Sequence, residues 1–141
     1  MTYQEALDNF GLPAMPTHRN EIRHLLLLAS EQERSGAGEE EILRTLCVQL
    51  FSIGEVADTL LIWNAKNSSF DMGSGLDVQF LCGAGLEATK AFLAGAPAPE
   101  ANQALQYLIK CEQSGDFEGW SPQKTLAFHR FYYGLDESQS F

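Results

Sequence analysis

The stretch Glu39-Glu-Glu-Ile-Leu-Arg-Thr-Leu-Cys-Val-Gln-Leu-Phe-Ser52-Ile-Gly-Glu55-Val-Ala-Asp-Thr-Leu-Leu-Ile-Trp63-Asn-Ala-Lys66 decides the fold class. It opens on three acids, which suit the positive end of a helix dipole. Ile42, Leu43, Leu46, Leu50 and Phe51 then recur at helical spacing. Ser52 and Glu55 stand at capping-box spacing, which predicts a second helix from Ile53 to Lys66. Val56, Ala57, Leu60, Leu61 and Asn64 would share one face of it. Ile62 and Trp63 widen the apolar arc, so this second helix is expected to be central and covered on several sides.

Working outward, the same signals recur. Tyr3 to Phe10 is amphipathic and stops at Gly11 and Pro13. Thr17 is placed to cap a helix carrying Ile22, Leu25, Leu26 and Ala29, which Gly36 and Gly38 break after Arg34. Ser74 and Asp77 repeat the capping pattern before Val78, Phe80 and Leu81. Leu86, Ala88, Phe92 and Leu93 continue to Gly95. Pro99 suits a first helical position ahead of Ala101, Leu105, Leu108 and Ile109, with Gly115 as the stop. Ser121 and Pro122 open a last helix that ends near Gly134. Alternating strand patterns are scarce.

The expectation is an all-α protein: one domain over residues 1–141, a compact bundle of six or seven short helices. Its buried core is expected to hold Leu26, Leu46, Leu50, Leu60, Leu61, Phe80, Leu81, Phe92, Leu105 and Leu108. In spacing, the run from Glu39 to Leu93 resembles HEAT-like helical-hairpin proteins, and that resemblance implies antiparallel hairpins.

Composition narrows the function. The chain has 141 residues, 45% apolar and 20% charged, which suits one globular domain. Nineteen acids against nine bases leave a net charge of -10. Such a chain lacks the cations that neutralise phosphates, so neither nucleic acid nor an anionic membrane is an expected partner. Met1 to Asp8 carries no basic and apolar leader pattern. The apolar runs Leu25–Ala29 and Leu60–Trp63 fall far short of the roughly 20 residues that span a bilayer. Cys47, Cys82 and Cys111 are odd in number and widely spaced, which suits reduced thiols and a cytoplasmic location.

Catalytic and cofactor patterns are weak. Cys82-Gly-Ala-Gly-Leu-Glu-Ala88 has the glycine spacing of a dinucleotide loop, but that motif needs a parallel sheet and no second strand is visible. The alternative is a helix junction whose glycines permit close packing. An EF-hand starting at Asp71 fails at Gly73, Gly75 and Cys82. His18, His24 and His129 show no zinc spacing, so neither a metal nor a cofactor is expected. Cys82 and His129 form a nucleophile pair only if the fold joins them. An enzyme would need Asp71, Asp77 or Glu87 to converge in one apolar cleft.

Two stretches suggest binding. Trp63-Asn-Ala-Lys66-Asn67-Ser-Ser-Phe-Asp71 joins an aromatic anchor and a lysine to a run of hydrogen-bonding turn formers. Its polar groups serve equally well to fix a corner between helices. Near the C-terminus, Phe128, Phe131 and Tyr132 share a helix face, while Tyr133 turns away with Leu126 and Arg130. That helix either closes over the bundle or presents an aromatic groove or a homodimer surface. The candidate binding residues are Trp63, Lys66, Asn67 and Asp71, with Tyr132 and Tyr133 nearby. The expected function is a non-enzymatic module that binds another protein, one of basic charge. A small, acidic, helical chain is similar to immunity-type toxin-neutralising proteins, and that resemblance implies a basic toxin as the partner. The alternatives are a small-molecule pocket between helices near Trp63 and Tyr132, or an enzyme using the acids named above.

Overall fold

Caps and glycine stops turn most of these segments into helices in the computed structural model, which describes residues 1–136. The eight helices are α1 (Tyr3–Phe10), α2 (Arg19–Arg34), α3 (Glu40–Ile53), α4 (Thr59–Lys66), α5 (Phe70–Gly75), α6 (Leu86–Gly95), α7 (Pro99–Gln113) and α8 (Pro122–Tyr132). Tight 3-10 turns at Pro16–His18, Val56–Asp58 and Val78–Cys82 link some of them. Helix makes up 73% of the described residues and strand none, so the fold is an all-α bundle.

The centre is α3, not the helix expected from Ile53 to Lys66. Every residue from Thr45 to Phe51 is buried. Two of these are polar, and each finds partners. The Thr45 hydroxyl donates to Glu41 O at 2.9 Å. Gln49 Nε2 donates to Ala6 O at 2.9 Å and Gly11 O at 3.0 Å, tying the end of α1 to α3. Helices α1 and α2 cover one part of α3, while α8 and the turn Val78–Cys82 cover another.

Ser52 does not start a helix. It lies in the last turn of α3, donates to Gln49 O and accepts from Ala14 N. The stop is Gly54, in left-handed conformation with φ 81°. The chain restarts through Val56–Asp58, so α4 is short and its inward face is Thr59, Ile62, Ala65 and Lys66. That shift of face leaves Leu60 and Leu61 only half-buried. Phe92 and Leu105 also sit at the margin of the core, whereas Leu26, Leu46, Leu50, Phe80, Leu81 and Leu108 are buried as expected. Thr17 lies within the turn Pro16–His18 rather than capping α2. Ser74 sits near the end of α5, and Ser69 is the cap, accepting from Met72 N at 3.1 Å. Ser121 does occupy the cap position of α8, with Pro122 first in the helix, although its side chain makes no capping bond.

The pairs that pack most extensively are α2 on α3 and α1 on α3, followed by α6 on α7. A buried charge fastens the first pair to α4. Asp58, 1% exposed, accepts Arg19 Nε at 2.8 Å and Nη2 at 3.0 Å, with Arg23 Nε beside it at 3.0 Å.

The glycine motif is a packing device. Asp77–Cys82 is not a strand, and a Cβ on Gly83 would lie 2.4 Å from the Phe51 carbonyl oxygen. Only glycine lets this loop reach the end of α3. Phe80, 2% exposed, packs there against Phe51 at 5.8 Å between ring centroids. Phe80→Ala should cost about 3–5 kcal/mol in chemical denaturation, and half-buried Leu60→Ala distinctly less.

Candidate functional site

Helix α8 has two faces of different character. Phe128, Phe131 and Tyr132 lie at i, i+3 and i+4 and therefore share one side. They are 62%, 63% and 63% exposed. The other side holds the helix down. Trp120 Nε1 donates to Thr125 Oγ1 at 2.7 Å, and Thr125 is buried. His129 Nδ1 lies 2.9 Å from Thr125 O, and its ring meets Phe80 at 4.9 Å. The Tyr133 hydroxyl lies 2.8 Å from Thr45 Oγ1. Arg130 reaches Asp136 and the Leu12 carbonyl. The shared aromatic face thus points outward, and it is the polar and mixed residues that close over the bundle.

A cleft of about 320 Å³ opens beside Tyr132, lined by Tyr3, Gln4, Glu41, Arg44, Thr45, Tyr132 and Tyr133. Tyr133 packs at 5.1 Å from Tyr132 and 6.2 Å from Tyr3. Through Tyr3 and Glu41 this cleft adjoins an acidic trench that also holds Glu33, Glu39, Glu40 and Asp71.

The corner expected to bind is divided among separate clefts. Trp63 and Asn67 share a groove with Arg34, Leu60, Asn64, Glu100 and Gln103. Trp63 is half-buried and packs on Tyr107 at 5.5 Å. Asp71 lies in the acidic trench, and Tyr132 and Tyr133 in the tyrosine cleft. Lys66 is buried, with Nζ donating to Gly73 O at 2.6 Å and Leu76 O at 2.5 Å. Its ammonium also sits 5.5 Å from the Tyr107 ring centre. Burial lowers its pKa from the ordinary lysine value. The turn formers are engaged locally: Asn67 donates to Trp63 O, Ser68 to Ala65 O and Ser69 to Glu33 Oε2. Most of this corner therefore builds the frame.

The three carboxylates proposed for catalysis lie apart. Asp71 lines the trench, Asp77 stands near Lys66 and Gln79, and Glu87 is 82% exposed and pairs with Lys90. Burial pushes the Cys82 thiol up to about 12, so the thiolate a nucleophile needs is scarce near neutral pH. Sequence reading missed Tyr3, Gln4, Glu41, Arg44 and Thr45. Glu41 and Arg44 did carry a signal, an acid and a base three apart on one helix. Tyr3 comes from a distant segment and carried none. No family profile, curated protein or solved structure matches this chain.

Two measurements test this anchoring. Lys66→Met deletes the ammonium and leaves two carbonyls unpaired, a loss of about 2 kcal/mol in denaturant titration. Burial also holds the His129 pKa below the ordinary imidazole value, against the Thr125 carbonyl and Asp77, which favour the proton. The unfolded chain then binds the proton at higher pH than the folded one. His129 should support full stability above about pH 6.5 and lose it as pH falls toward its folded value. Thermal melts between pH 5 and 8 should show this slope, and His129→Gln should flatten it.

Proposed function

We propose that the protein is a non-enzymatic, cytoplasmic interaction module that captures a basic protein on the outer face of α8. The observation that carries this reading is the exposure of Phe128, Phe131 and Tyr132 on one side of a helix whose opposite side is anchored. Contiguous exposed aromatics on a held helix are the groups that partner surfaces bury. Their backbone is already helical, so docking costs little ordering of it.

Charge supports the choice of partner. The chain carries a net charge of -10, and the trench of Glu33, Glu39, Glu40, Glu41 and Asp71 adjoins the cleft that Tyr132 lines. A cationic protein would be drawn to this side, and carboxylates at the rim would set its orientation. Neutralisation of a basic toxin is the particular form of the function that these features suit. It asks for a tight interface and no chemistry from the inhibitor.

The test is capture from the native host by the wild-type chain beside a Phe131→Ala chain. A basic protein retained by the first and weakened by about 2 kcal/mol or more with the second supports the reading, as expected of an aromatic anchor. Equal affinity for both chains, with the fold intact, removes α8 from the interface.

A further inference from the structure

The tyrosine cleft between α1, α3 and α8 has a chemistry that protein docking on α8 does not use. At about 320 Å³ it falls at the small end of ligand pockets, which run from about 300 to 1,000 Å³. That size suits a single small molecule rather than a dinucleotide. Its walls include three aromatic rings, those of Tyr3, Tyr132 and Tyr133. Its charges come from α3, where Glu41 and Arg44 stand three residues apart and line the same opening.

Neither side chain has a hydrogen bond among the described residues. Glu41 has no ion-pair partner among the described residues. Arg44 has a loose ion pair with Glu40 Oε2 at 3.7 Å, too long for a hydrogen bond. Arg44 Nε is buried with no acceptor. The Thr45 hydroxyl, by contrast, is engaged by Tyr133 and the Glu41 carbonyl. Among the described residues the cleft therefore offers one cation held only by a loose ion pair and one anion without an ion-pair partner, a helical turn apart beside aromatic walls. A ligand with only positive charge would meet Arg44, and one with only negative charge would meet Glu41. A zwitterion satisfies both.

We infer that this cleft binds a free aromatic amino acid, its carboxylate on Arg44, its ammonium on Glu41 and its ring against Tyr3 and Tyr132. Gln4 also lines the cleft; its Nε2 donates to Asp8 Oδ1, which leaves the amide oxygen able to accept from the ammonium.

Calorimetric titration of the full chain with L-phenylalanine tests this, beside phenethylamine, which lacks the carboxylate, and 3-phenylpropanoate, which lacks the ammonium. L-phenylalanine should bind saturably, and each analogue should bind about tenfold or more weakly, as the loss of a charged hydrogen bond requires. Arg44→Gln should bring L-phenylalanine down to the level of phenethylamine. Glu41→Gln should bring it to the level of 3-phenylpropanoate. If Arg44→Gln fails to fold, Arg44→Lys keeps the charge but loses the fork of donors, and a several-fold loss is expected there. Phe131→Ala, on the outer face of α8, should leave the titration unchanged, which separates this site from protein docking. Absence of saturable binding in the millimolar range, or equal binding of the three compounds, overturns the inference.

Discussion

A helix buried on every side needs a neighbour for every side, and α3 imposes that demand on the whole chain. With Thr45 to Phe51 all enclosed, no single amphipathic partner is enough. Helices α1, α2, α4, α5 and α8 and the turn Val78–Cys82 all pack against it. Enclosure also takes two polar side chains among those residues away from water, and their donor groups find partners within the protein. Thr45 bonds within its own helix and to Tyr133, and the Gln49 amide fastens the end of α1. The polar residues of the central helix thus decide where its neighbours dock.

The site follows from how α8 meets this centre. Thr45 sits near the start of α3, and its bond to Tyr133 fixes the rotation of α8 about its own axis. The His129 and Thr125 contacts hold that rotation from the preceding turns. Once those residues face inward, helical geometry directs Phe128, Phe131 and Tyr132 outward. The exposed aromatics are therefore a consequence of anchoring and not a looseness in packing. The same contact builds the neighbouring cleft, since Tyr133 and Thr45 are both among its walls.

Much of the fold was legible because helix ends are local events. α1 begins and ends where the pattern placed it, and Pro99 and Pro122 each open a helix. Ser52 misled because the Ser-x-x-Glu pattern is shared by caps and by last turns; the left-handed Gly54 was the stronger stop. That error moved the expected centre from α3 to the following helix. Lys66 misled for another reason. A lysine at a helix end reads as exposed, yet here its ammonium replaces missing partners for the carbonyls that follow α4. The grouping of Tyr3 with Tyr133 lay beyond local reading, because residues 130 positions apart are brought into contact only by the packing of α1 and α8 on α3.

The Asp58 clamp gives the protein two populations of charge that ionic strength affects unequally. One is the surplus of acids on the surface, which repel one another and strain the compact state. The other is the Asp58 carboxylate, 1% exposed and held by Arg19 and Arg23. Dissolved ions screen exposed charges over about 8 Å at physiological strength and reach enclosed pairs far less. Concentrated electrolyte thus relieves the repulsion while leaving the clamp in force. The medium that slows a charge-guided encounter with a cationic protein is the one in which this scaffold stands firmest.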